Sequence, residues 1–182
     1  MLRRLPVEKP DQLVELLSRY PGDPRVNAFS WQSYEHYRDH NHVFSGVIGT
    51  SGPSRLNVRV EGLEPETLNG ESVVSNFFPV LGIKPAIGRL IGHEDDPMGA
   101  GSAVAVVSWS YWKSRFDLDL AIVGKQIVVE NMPVTIIGVT PRAFLGLEVG
   151  SKTDVWLLRM PASPSGLKLR ARLMPGVFIE QT

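Results

Sequence analysis

Short apolar runs, some alternating with polar residues and some unbroken, are cut every few positions by proline and glycine along this chain. "DQLVELLSRY" has doubled leucines that fit a helix or a buried strand equally well. The turn-rich "PGDPRVNA" follows, and Ser30 then stands where an N-cap belongs, with Trp31, Tyr34, Tyr37 and Asn41 or Phe44 after it at helical spacing. That predicts an amphipathic helix packed through its aromatic side. "LNVRVEG" alternates with period two and predicts a strand, and "LNGESVVS" predicts a second one. In "VVSNFFPVLGIKPAIGRLI", Ser75 is placed to cap a short helix that turns Phe77, Phe78 and Leu81 inward. Gly82 ends it in a left-handed conformation and Pro85 forbids continuation. The polar, breaker-rich "HEDDPMGAGS" predicts an exposed loop.

The pattern continues with "AVAVVS", the length of a buried strand, and "WSYWKSRF", a helix whose Trp109, Trp112 and Phe116 should face inward. "KQIVVENMPVTIIGV" holds two β-branched runs divided by Glu130-Asn131-Met132, a hairpin whose second strand should start at Pro133. "TDVWLL" predicts another strand. "LKLRARLMPGVFIEQT" predicts a strand with its charges outward, a Pro-Gly turn and the start of a helix that stops incomplete at Thr182.

Composition narrows the function more than the fold. The chain has 182 residues, no Cys and 19 basic against 19 acidic side chains. It is long enough to bury a core without disulfides or metal. The balanced charge argues against nucleic acid as a partner, since nucleic acid selects a basic excess on one face. "MLRRLPVEKP" has the arginines of a secretory signal, but Pro6, Glu8 and Lys9 break the apolar stretch that should follow. The longest unbroken apolar run, Ala103 to Val107, is far short of the roughly 20 residues a membrane span needs, so this segment alone is expected to be soluble.

Candidate chemistry is weak throughout. His36 and His40 have the i,i+4 spacing zinc uses, with His42 close by, but that spacing puts them away from the aromatic face, and we read them as exposed. His93, Glu94, Asp95 and Asp96 lack the alternate-ligand spacing of a calcium loop and read as solvated charge. Gly124-Lys125 would need Gly at 119 and Ser or Thr at 126 to form a phosphate loop. Those positions hold Asp119 and Gln126, so a turn is expected. Ser75 and Ser108 read as caps, and no nucleophile elbow or thiol is present. Trp31, Trp109, Trp112 and Trp156 fall on apolar stripes and read as core. We therefore assign no catalytic, cofactor-binding or metal residues, and no cofactor.

Taken together and in order, "ESVVSNFFPVLGIKPAIGRLI", "EDD", "AVAVVSWSYWKSRF", "IVGKQIVVENMPVTIIGVTPRAF" and "DVWLL" resemble the extracytoplasmic core domain of MacB-type ABC transporter permeases, nearest to the long permeases common in acidobacteria. The resemblance implies an α+β, two-lobed domain inserted between two transmembrane helices. Residues 1–70 would be the first βαβ part of a membrane-proximal, porter-like lobe, 71–160 an inserted sabre-like lobe, and 161–182 the start of an incomplete second βαβ half. It implies a non-catalytic periplasmic role at the inner membrane, transmitting conformational change and contacting substrate or adaptor. The partners would be the permease's own membrane helices and an ATP-binding cassette subunit, with the permease dimeric and the isolated domain monomeric. The alternative is a stand-alone ligand-binding protein or enzyme of α+β fold. Where the family usually has Asn-Gly in the hairpin, this chain has Asn131-Met132, and Met resists positive φ.

Overall fold

A computed structural model describes residues 6–18, 27–96, 103–148, 150–161 and 165–177. Its elements are β1 (Leu13–Glu15), α1 (Trp31–Asp39), β2 (Phe44–Arg59), β3 (Glu66–Val73), α2 (Phe77–Leu81), β4 (Ile87–Gly88), β5 (Val104–Val107), α3 (Trp109–Phe116), β6 (Gln126–Val129), β7 (Met132–Val139), β8 (Val155–Leu158) and β9 (Lys168–Leu173). The class is α+β, as expected. The turn-rich stretch up to residue 26 and the helix start beyond residue 177 lie outside the described residues.

The nine strands of the described residues join one sheet in the order β1-β9-β2-β3-β8-β5-β7-β4, with β6 pairing both β2 and β7. The long β2 makes this possible. Phe44 to Thr50 pair with β9, while Val58 and Arg59 pair with β6. The pairings β2-β3-β8-β5-β7-β6 therefore return to β2 and close a ring.

Period-two alternation then sorts side chains to two sides. On β5, Ala105 and Val107 join one buried cluster and Val106 the other; on β8, Val155 and Trp156 divide in the same way. Every ring strand contributes to the first of these clusters through Val58, Leu68, Val155, Ala105, Val134 and Ile127, and Tyr111, Trp112 and Ile122 complete it. The second cluster holds Tyr34 of α1, Phe77, Phe78 and Leu81 of α2, and Leu169 and Ala171 of β9. Strands β5 and β8 are thus a wall shared by both cores, which explains why "AVAVV" is apolar at every position.

Local differences from the sequence reading have identifiable causes. Ser30 caps α1 as expected, its Oγ accepting from Ser33 N at 3.1 Å. Ser75 does not cap α2: Asn76 holds the N-cap position, without a side-chain cap bond. The Asn76 amide is used in the core instead, donating to Val47 O at 2.9 Å and accepting from the Tyr34 hydroxyl at 3.2 Å. The other end of α2 follows expectation. Gly82 has φ 69°, and the bonds Gly82 N to Pro79 O and Ile83 N to Phe78 O form a Schellman closure.

Helix α3 begins as predicted, with Ser108 Oγ accepting from Tyr111 N. Its buried residues are Tyr111 and Trp112, whereas Trp109 and Phe116 are half-buried, so the stripe is rotated from the one predicted. The second hairpin strand starts at Met132, one residue early, and the two-residue turn is Glu130-Asn131 with φ 48° and 66°. Met132 is therefore spared positive φ, which answers the departure at 131–132. Strand β2 also runs through Gly52 and Pro53, a stretch the sequence reading left unassigned. A register slip between Ser51 and Ser54 absorbs the proline, as bulges do.

Candidate functional site

The site that the fold constructs is a junction between the first and last strands. β1 lies antiparallel on β9 with Leu13 opposite Arg172, so the chain before Leu13 and the chain after β9 lie at the same end of the sheet. Lys9 turns the incoming segment with φ 44°, and a 3-10 turn over Pro10–Gln12 delivers it to β1. A helix leaves its last carbonyls without intrahelical partners. Here Glu8 N donates to Leu81 O at 3.0 Å, and Arg172 donates through Nε to Val80 O at 2.8 Å and through Nη1 to Lys9 O at 3.1 Å. One guanidinium thus joins the incoming segment, the end of α2 and the last strand. Burial pulls its pKa below the ordinary arginine value, and Glu8 opposes that. Gly82 is required twice over, for its positive φ and because a Cβ there would sit 2.5 Å from Glu8 Cδ.

From this junction α2 leads into an aromatic group. Phe77 and Phe78 meet Phe144 at ring separations of 6.4 and 6.2 Å, Phe78 meets Trp156 at 6.0 Å, and Phe144 meets Trp156 at 5.5 Å. Trp156 stands on the shared wall, so these packed rings join α2 directly to a ring strand.

Buried charge marks the same half of the molecule. Arg159, 3% exposed, donates to Ser51 Oγ at 2.7 Å and Ser165 Oγ at 2.6 Å. Glu148 accepts from Lys168 at 3.1 Å and Arg170 at 3.0 Å, and these bases hold its carboxyl below the usual range. Glu71, 4% exposed, has its pKa raised by burial, against a hydrogen bond from Thr153. Sequence reasoning missed these roles. The Lys168, Arg170 and Arg172 alternation was read as outward charge, but all three are only half exposed and each is engaged. The legible signal was their alternation with the apolar Leu167, Leu169, Ala171 and Leu173, which places all three on one face of a strand.

The other candidates fall as follows. His36 and His40 stack with ring centroids 5.1 Å apart and are exposed, as is His42. Among the described residues no three His, Asp or Glu side chains are grouped to hold a metal. The 93–96 loop is not simply solvated. Asp95 accepts from Arg89 at 2.6 and 2.7 Å and from Gly92 N at 3.0 Å, and Glu94 meets Arg89 at 3.3 Å. Gly124, at φ 90°, forms the expected turn into β6. Trp156 is fully buried and Trp112 donates Nε1 to Asp119 O at 2.8 Å, whereas Trp31 and Trp109 are half-buried. A groove of about 360 Å³ opens at the far end of the ring, lined by Asn57, Arg59, Glu66, Thr67, Glu130 and Asn131 among others.

The fold is that of the domains which ABC-type permeases carry outside the membrane. A domain of a putative permease from Porphyromonas gingivalis superposes with TM-score 0.70 at 15% identity, over 92% of this chain and 77% of that one. The periplasmic region of MacB from Actinobacillus actinomycetemcomitans gives 0.69 at 17%, over 91% and 76%. The extracellular domain of the noncanonic ABC-type transporter YknZ from Gram-positive bacteria gives 0.64 at 14%, over 90% and 83%. The chain belongs to the MacB-like periplasmic core domain family, which matches residues 4–175. No curated protein matches it.

Proposed function

We propose that this domain is the extracytoplasmic part of a MacB-type ABC permease and that its work is mechanical rather than catalytic. Membrane helices of the permease pull on the segment before Leu13 and the segment after β9. The junction passes that movement through α2 to the ring, while an ATP-binding cassette subunit supplies the energy from the cytoplasm. In this reading residues 1–70 and 161–182 form the membrane-proximal lobe and residues 71–160 the lobe it moves, with β2 and β3 running from the first into the ring, and a substrate or adaptor is met beyond it. The domain stays at the outer face of the inner membrane because the permease's helices tether it.

The observation that carries the reading is the Arg172 clasp. Both chain connections are held at one end of the sheet and bonded to the same helix, so neither can shift without the other and without α2. Packed elements respond to such a shift as rigid bodies.

The test is a spin-label distance measurement in the full-length permease, between a label at Gln32 on α1 and one at Met132 on the β6–β7 hairpin. Nucleotide should change the distance in the parent protein, and Arg172→Met should blunt the change. A distance that is identical with and without nucleotide would overturn the proposal.

A further inference from the structure

The turn after α3 is built to show apolar side chains to water. Leu118, Leu120 and Val123 are 38%, 70% and 40% exposed there. Leu63, 41% exposed, lies on the β2–β3 loop. Arg115 brings that loop against the C-terminal end of α3 by donating to Glu64 O and pairing with Glu66 Oε1 at 2.8 Å.

The turn is held in a conformation that leucine avoids. Asp117 and Leu118 have φ 47° and 60°, left-handed values that strain a bulky side chain. Bonds from all sides fix it: Leu118 N to Trp112 O, Asp119 N to Phe116 O at 2.8 Å, the Trp112 indole to Asp119 O, and Ala121 N to Asp119 Oδ1 at 2.9 Å. Ile122 anchors the turn in the core, and Leu118, Leu120 and Val123 are left outside it. Such a rigid projection loses little freedom when a partner covers it.

The charges around it indicate the partner's chemistry. Glu61, Glu64, Asp117 and Asp119 are exposed and, among the described residues, none is in an ion pair; of the bases near the turn, Arg115 is taken up by Glu64 and Glu66, which leaves Lys113 and Lys125 against these four carboxylates. We infer that this apolar, carboxylate-ringed projection docks a polypeptide segment that sets apolar side chains beside lysine or arginine. The carboxylates steer such a partner and repel an anionic bilayer. The inference does not rest on the mechanical reading, because it concerns the outer flank of the ring and not the junction.

The test uses the 182-residue chain and three probes: a synthetic helix of leucine on one face and lysine on the other, its leucine-glutamate counterpart, and phosphatidylglycerol vesicles. Binding of the lysine helix alone, weakened about tenfold by Leu120→Ser, supports the docking surface. Asp117→Asn with Glu61→Gln should weaken binding further and flatten its salt dependence. Leu120 is mostly exposed, so its variant folds, which circular dichroism verifies. Equal binding of both helices, indifference to Leu120→Ser, preference for vesicles, or a concentration-dependent dimer that Leu120→Ser abolishes would each overturn it.

Discussion

Arg172 reaches back from β9 to donate its Nε hydrogen to the carbonyl oxygen of Val80 at 2.8 Å, so the last strand holds the C-terminal turn of α2 directly. The same side chain takes the Lys9 carbonyl. Hydrogen bonds from a charged donor are worth more than neutral ones. Arg172→Met should lower stability by about 1–3 kcal/mol, and Arg172→Lys, which can still reach one carbonyl, by less. Urea denaturation midpoints for the two variants check this; equal losses would show that the fork geometry does not matter.

A buried carboxyl makes stability depend on pH in the unusual direction. Burial raises the Glu71 pKa above its unfolded value, so the folded state holds this proton more tightly. Its contribution is full below the ordinary glutamate range and is lost as pH rises through the raised folded value. Glu148 and the Lys168 and Arg170 groups shape the same region, so the useful quantity is the difference between proteins. Glu71→Gln should leave melting temperature unchanged in acid and raise it at neutral pH. A variant that is less stable than the parent at neutral pH would refute the assignment.

Tyr34 and Asn76 are both buried, and the hydroxyl of one satisfies the amide oxygen of the other. Tyr34→Phe strands that oxygen in the core and should cost about 1–3 kcal/mol. Tyr34→Phe combined with Asn76→Ala should cost less than the sum of the single changes, a coupling that a double-mutant cycle by thermal unfolding measures.

The hairpin turn places a glutamate at φ 48°, and its carboxylate accepts from Asn57 N at 2.6 Å, a bond that offsets the strain. Glu130→Ala loses the bond and keeps the strain, whereas Glu130→Gly loses the bond and relieves it. Alanine should therefore be less stable than glycine here by about 1 kcal/mol. Denaturant midpoints of the two proteins give the difference.

Much of this fold is written locally. Ser30 and Ser108 at their caps, Gly82 at its helix end and the period-two runs around Val58, Ile127 and Val134 all mark elements by rules that need only neighbours in sequence. What was hidden depends on partners far away in the chain. Asn76 stands at the cap position yet makes no cap bond because Tyr34 and Val47 claim its amide. Tyr111 turns inward because the ring it closes and the Glu66 that receives its hydroxyl lie elsewhere. The junction was the least legible part. Arginine alternating with leucine is the pattern of a solvated strand face, and nothing near Arg172 in sequence announces the Val80 and Lys9 carbonyls.

The ladder pairing of β2 with β6 that completes the ring spans Val58 with Val129 and Arg59 with Val128, extended by the bonds between Asn57 and Glu130. A circle of strands fastened on one side by so brief a zipper has a preferred place to part. Amide exchange at Val129 should be faster than at Val106, deep in the wall between the two cores, and any loosening of this half of the domain would begin beside the polar groove at its rim.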